Sequence, residues 1–169
     1  IGEGDEVIIP APYWVSYLEI VKVAEGTPVV INAGIENDFK ISGKQLEAAI
    51  TDKTKLVMFS SPCNPTGSVY SKEELRDIAD VIKKYPHIVV LADEIYEHIN
   101  FIGKHESLAQ FEDVSDQVVT VNGVSKAWAM TGWRLGYIGA PKLIADACNT
   151  VQGHFTSGTC SITQNASIA

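Results

Sequence analysis

Three polar clusters of the 169-residue chain hold side chains able to do chemistry. Asn64 stands in Ser61-Pro62-Cys63-Asn64-Pro65-Thr66-Gly67, Asp93 and Tyr96 in Asp93-Glu94-Ile95-Tyr96, and Lys126 closes Asn122-Gly123-Val124-Ser125-Lys126. Arg134 follows the lysine by eight residues, in Thr131-Gly132-Trp133-Arg134-Leu135-Gly136. Each type alone has a plainer reading. An aspartate closing a strand caps the next helix or binds a metal, an asparagine before proline marks a turn, a lone lysine is solvated surface, and a lone arginine makes an exposed ion pair of small worth. Their setting raises them above that level. Each of the three clusters follows an apolar run: Lys55 to Ser60, His87 to Ala92, and Gln117 to Val121. If those runs are parallel neighbours in a sheet, an amide, a carboxylate with a phenol, and a lysine converge on one edge. Ligands of open α/β sheets sit beyond the carboxyl ends of the strands.

Other chemistries find no support in the motifs. Neither glycine-rich phosphate fingerprint occurs. No His/Cys/carboxylate set has metal-ligand spacing, and His98 and His105 lie in loop-like sequence. The net charge of -8, with 13 basic and 21 acidic residues, disfavours nucleic acid, which needs a basic face, and anionic membranes. No apolar run approaches the length of a transmembrane helix. Three widely spaced cysteines (Cys63, Cys148 and Cys160) fit neither a disulfide framework nor a zinc site, and point to a reducing cytosol.

The elements that must position the clusters alternate in period. Short apolar runs at 6–10, 27–32, 55–60, 87–92, 117–121 and 135–139 read as strands. Between them lie a helical stripe over 13–24, a helix behind the capping box of Ser42 and Gln45, a second behind Ser71 and Glu74, and a helix from Lys142. This alternation predicts a three-layer α/β/α domain with a mostly parallel sheet, its strands apolar on both faces. The stretch 128–133 before 135–139 is short for a crossover helix, which leaves an antiparallel course open to that last strand. The segment 100–116 is irregular and reads as surface loop. The opening at Ile1 and the helix-like close at 162–169 suggest an internal piece of a longer protein.

Taken together, Pro12-Tyr13-Trp14, Asn64-Pro65-Thr66-Gly67, Asp93-Glu94-Ile95-Tyr96, and the run from Gly123 to Gly136 resemble, in order, the class I (fold type I) aminotransferases that use pyridoxal 5′-phosphate. The match lies nearest the bacterial aspartate aminotransferase branch and covers essentially the whole chain. It implies that residues 1–169 are the middle of the large cofactor domain, without the family's N-terminal segment or C-terminal small domain.

The resemblance also implies roles. Lys126 would carry the cofactor as a Schiff base (the lysine aldimine) and then act as a base. Asp93 would keep the pyridine nitrogen protonated, and Tyr96 and Asn64 would donate to the ring's phenolic oxygen. Trp14 would stack on the ring, with a buried core aromatic as the alternative, and Arg134 would fork the phosphate. Trp14 and Asn64 would also border the substrate. Where many relatives carry a phosphate-binding serine, this chain has Gly123, and Ser125 beside the lysine is a weaker candidate for that role. Tyr13, Tyr17 and Tyr70 receive no role. The implied parent is a cytoplasmic homodimer moving an amino group from an amino acid, aspartate foremost, to a 2-oxo acid such as 2-oxoglutarate. The piece alone is expected to be inactive, because the phosphate-cradling turn and the arginine for the substrate carboxylate lie outside it. Competing readings are a carbon–sulfur lyase or cyclopropane-forming synthase of the same fold, and the aminotransferase-like effector domain of a transcription regulator.

Overall fold

Val7 and Ile9 project to one side of the first strand and Ile8 to the other, and all three are fully buried. That double burial is what a continuous apolar run predicts for a strand covered on both faces. The computed structural model describes residues 1–169. Its six strands are β1 (Glu6–Ala11), β2 (Thr27–Asn32), β3 (Thr54–Ser60), β4 (Val89–Asp93), β5 (Val118–Gly123) and β6 (Gly136–Gly139). They form one sheet in the order β2-β1-β3-β4-β5-β6. Every pairing is parallel except β5 with β6, which is antiparallel, as the short connection allows.

The period of two sorts side chains between two cores. Ile8, Val57, Phe59, Val90 and Ala92 meet α2 (Gly43–Ala49) and α3 (Lys72–Ile82) through Leu46, Leu75, Ile78, Ala79 and Ile82. Val7, Ile9 and Met58 meet α1 (Ser16–Val23) through Tyr17 and Val21 on the opposite face, with Leu56 and Leu91 packed beside them. Each fully buried aliphatic side chain contributes roughly 1.5–3 kcal/mol by leaving water. Both expected capping boxes form, Ser42 with Gln45 and Ser71 with Glu74, each worth about 1 kcal/mol to its helix. The architecture is therefore the expected three-layer α/β/α domain with a mostly parallel sheet.

Four expectations need correction. The strand read as ending at Ala92 takes in Asp93, so that carboxylate belongs to the sheet and not to a cap. The first helix begins at Ser16, three residues later than its apolar stripe, which leaves Trp14 off the helix and 43% exposed; it is not a core aromatic. Burial on both faces fails at the two edges, where β2 is half exposed and β6 exposed throughout. The segment 100–116 is not all surface: Leu108 and Val114 are buried in the larger core, beside two short 3-10 turns at Leu108–Gln110 and Ser115–Gln117. Single anchoring residues leave no periodicity to read. Beyond β6 run α4 (Lys142–Phe155) and α5 (Ser161–Ile168), which between them bury only Thr163.

Candidate active site

Side-chain parity decides what faces the cavity. Asp93 lies two residues beyond Leu91 on β4, and Ser60 two beyond Met58 on β3, so both project toward the α1 face at the strands' carboxyl ends. Ser60 and Asp93 are register partners across β3 and β4, and Asp93 and Val121 across β4 and β5. The strand order reverses between β1 and β3, where such sheets open a crevice. A cavity of about 500 Å³ opens over these strand ends, lined among others by Trp14, Tyr17, Ser60, Asn64, Asp93 and Tyr96. Its other wall includes Gly123, Ser125, Lys126, Thr131 and Arg134. Every residue singled out from the sequence thus borders one space, within the range of roughly 300–1,000 Å³ usual for cofactor sites.

Asp93 is held from two directions. The Tyr17 hydroxyl donates to Oδ2 at 2.6 Å, and the Ile95 N–H donates to Oδ1 at 3.2 Å. Burial and the adjacent Asp93 carboxylate push the Tyr17 phenol far above its ordinary value, so it stays neutral and donates. Ser60 Oγ is buried beside it and has no hydrogen-bond partner. The opposite wall is cationic. Lys126 Nζ lies 5.9 Å from the centre of the Tyr96 ring and, like Arg134, belongs to no ion pair. Arg134 sits in the left-handed backbone region and donates from Nη1 to the Thr131 carbonyl at 2.9 Å, which folds its loop against the cavity. One anchored anion faces two unpaired cations, a donor set suited to a ligand that is acidic at one end and basic at the other.

Gly123 has a steric cause. A Cβ there would lie 2.8 Å from the Leu135 carbonyl oxygen and 3.1 Å from the Gly136 Cα, because β6 turns back against it in register. In the Asn64 loop, Gly67 takes a positive φ of 74° and its N–H closes a turn on the Cys63 carbonyl at 2.8 Å. That turn presents Asn64 to the cavity.

Three polar residues of the cavity lining were missed in the sequence: Tyr17, Ser60 and Thr131. The signal for Tyr17 was available, since it follows Trp14 by one helical turn and sits on the buried stripe, but a tyrosine there reads as packing. One grouping of ionisable side chains lies outside the cavity and has no signature in sequence spacing. The ligand atoms of Glu94, Glu97 and His105 lie within 4.8 Å of one another. Buried Glu94 accepts from Ser107 Oγ at 2.6 Å and pairs with His105 Nε2 at 2.8 Å. An 11-residue separation hides that grouping in the sequence. The hydrogen bond to Glu94 raises the His105 pKa above the usual imidazole value.

Comparison with known proteins agrees with the geometry. The family described as aminotransferase class I and II matches residues 1–169. A probable aspartate/prephenate aminotransferase of Rickettsia bellii is 53% identical over 170 residues, covering 99% of this chain and 43% of that protein. A bifunctional aspartate aminotransferase and glutamate/aspartate-prephenate aminotransferase of Petunia hybrida is 50% identical, covering 98% of this chain and 35% of the plant protein. Among solved structures, the aspartate aminotransferase of Rhizobium meliloti superposes with a TM-score of 0.96 at 45% identity, over 99% of this chain and 42% of its own. That of Thermus thermophilus with maleate gives 0.95 at 39%, over 99% and 43%. The chain spans less than half the length of these relatives.

Proposed function

The chain belongs to the aminotransferase class I and II family, and from that premise we propose that it forms the core of the large domain of a pyridoxal-phosphate-dependent aminotransferase. The observation that carries the reading is the anchored Asp93 carboxylate facing the unpaired Lys126 and Arg134 across one cavity. Those residues fit the cofactor by the chemistry of their donors: a base for a pyridine nitrogen, an amine for an aldehyde, and a guanidinium for a phosphate. When bound, pyridoxal 5′-phosphate supplies an aldehyde for an amine to capture and a ring that spreads carbanion charge.

The chain's own residues then divide the work. Lys126 Nζ is the nucleophile and, once free, the base that takes and returns the substrate's α-proton. Asp93 would face the ring nitrogen and hold a proton there, oriented by its two protein donors. Asn64 and Tyr96 orient the ring through its phenolic oxygen. Arg134 forks the phosphate, with Ser125 beside the lysine as a secondary donor. Trp14, exposed over the cavity mouth and edge-on to Tyr17 at 5.7 Å, covers the ring and, with Asn64, borders the substrate.

The names of the relatives point to aspartate as amino donor and prephenate as an acceptor, and the family resemblance adds 2-oxoglutarate as the alternative acceptor. On this reading the parent is a cytoplasmic homodimer; the three unpaired cysteines suit a reducing compartment. No helix is long and apolar enough to cross a membrane. The test is to assay the full-length parent, loaded with pyridoxal 5′-phosphate, with aspartate and each acceptor in turn. Amino transfer to 2-oxoglutarate, prephenate or both is expected, and the absence of transfer from aspartate to either would overturn the assignment. Light scattering of the same preparation should give twice the subunit mass.

A further inference from the structure

Tyr17 is one of the residues of this site that sequence motifs leave unassigned, yet it touches two of its functional groups. Its hydroxyl donates to Asp93 Oδ2 at 2.6 Å, its ring meets Trp14 edge-on at 5.7 Å, and it is 3% exposed at the end of the cavity. The alternation of β4 turns Asp93 to the α1 face, and the first turn of α1 delivers Tyr17 to it. Behind the hydroxyl lies the unpartnered Ser60 Oγ. The titratable groups around the phenol are Asp93 and Cys63, with Tyr96 and Lys126 on the cavity wall.

We propose that Tyr17 is a positioning residue: its hydroxyl aims the Asp93 carboxylate and sets how strongly that carboxylate draws the proton it shares with a cofactor ring nitrogen. This rests on the cofactor reading above. The reasoning is electrostatic. A hydrogen bond donated to a carboxylate stabilises its charged form and lowers its basicity. Asp93 has two protein donors, and the phenol is the shorter and the only side-chain one. Without it, the carboxylate is a stronger base, the shared proton moves toward Oδ2, and the ring carries less positive charge. A less positive ring lets the lysine-linked nitrogen hold its own proton to higher pH. The phenol is suited to the task because it does not ionise in the working range, so its contribution is constant with pH.

The experiment uses the full-length parent loaded with pyridoxal 5′-phosphate and follows the absorption of the bound cofactor against pH. Tyr17→Phe keeps the ring against Trp14 and removes only the hydroxyl. The midpoint of the titration is expected to rise by roughly 0.5–1 pH unit, and cofactor affinity measured by equilibrium dialysis to fall about three- to tenfold, as expected for loss of one charge-assisted hydrogen bond. Tyr70→Phe is the control. Its hydroxyl is also buried and accepts the Ile41 N–H at 2.9 Å, but it lies in the core on the other side of the sheet. That variant is expected to lose stability without moving the midpoint. A Tyr17→Phe midpoint unchanged from the parent, or shifted no more than that of Tyr70→Phe, overturns the proposal while leaving the cofactor reading intact. A parent that shows no cofactor absorption at all overturns both.

Discussion

Replacing Asp93 with asparagine separates the charge of this carboxylate from its place in the packing. The aspartate accepts two hydrogen bonds on two different oxygens, from the Ile95 N–H and the Tyr17 O–H. Asparagine has one acceptor oxygen, so one donor must change its arrangement. Keeping that oxygen on the Ile95 N–H turns the amide NH2 toward Tyr17. The Tyr17 oxygen can accept from it, and the phenolic hydrogen can rotate to the unpartnered Ser60 Oγ beside it. No buried donor is then orphaned. The apo protein should lose only about 1 kcal/mol, the worth of exchanging a charged hydrogen bond for a neutral one and well short of the cost of an uncompensated polar group. The effect on turnover is of another size. A neutral amide does not hold the ring nitrogen protonated, and loss of that stabilisation should raise the barrier by about 4 kcal/mol, roughly a thousandfold in rate. The assays are urea denaturation of the apo form and single-turnover kinetics with aspartate. Turnover within about tenfold of the parent would refute the claim that the charge matters. A stability loss above about 3 kcal/mol would refute the claim that Ser60 relieves the exchange.

Three further outcomes follow from other parts of the site. Borohydride reduction of the loaded parent, then peptide mapping, should place the pyridoxyl label on Lys126; a label elsewhere refutes its role, and Lys126→Ala should lose transfer while retaining non-covalent cofactor binding. Gly123→Ala puts a Cβ 2.8 Å from the Leu135 carbonyl, so it should cost about 1–3 kcal/mol in denaturant unfolding and weaken cofactor binding by displacing Arg134, and unaltered stability would show that β6 yields freely. The hydrogen bond from His105 to Glu94, with Glu97 and Glu106 nearby, raises the imidazole pKa, so its stabilisation is complete below the unfolded value of about 6.5 and is lost as pH rises through the higher folded value. The melting-temperature gap between the parent and His105→Gln should therefore be wider at about pH 5.5 than at about pH 9, and a gap that widens with pH would contradict the pairing.

Much of this protein was settled by local pattern. The six strands were legible because a continuous apolar run has few alternatives at that length, and the helices at 43–49 and 72–82 because Ser42 with Gln45 and Ser71 with Glu74 announce their own starts. The ordered motifs around Trp14, Asn64, Asp93, Tyr96, Lys126 and Arg134 identified the family, since each is a short stretch with its own spacing. Tertiary structure decided what depends on distance through space. Whether Asp93 caps a helix or faces a cavity turns on one residue of strand length, and that is decided by pairing with Ser60 and Val121. The hydroxyl of Tyr17 meets Asp93 across a separation of 76 residues, and Glu94 meets His105 and Ser107 only when the irregular segment folds back over the sheet. Gly123 owes its missing side chain to the return of β6. Periodicity records which face a residue presents to its own element. It carries no record of which partner a parallel crossover, closed many residues later, brings to that face.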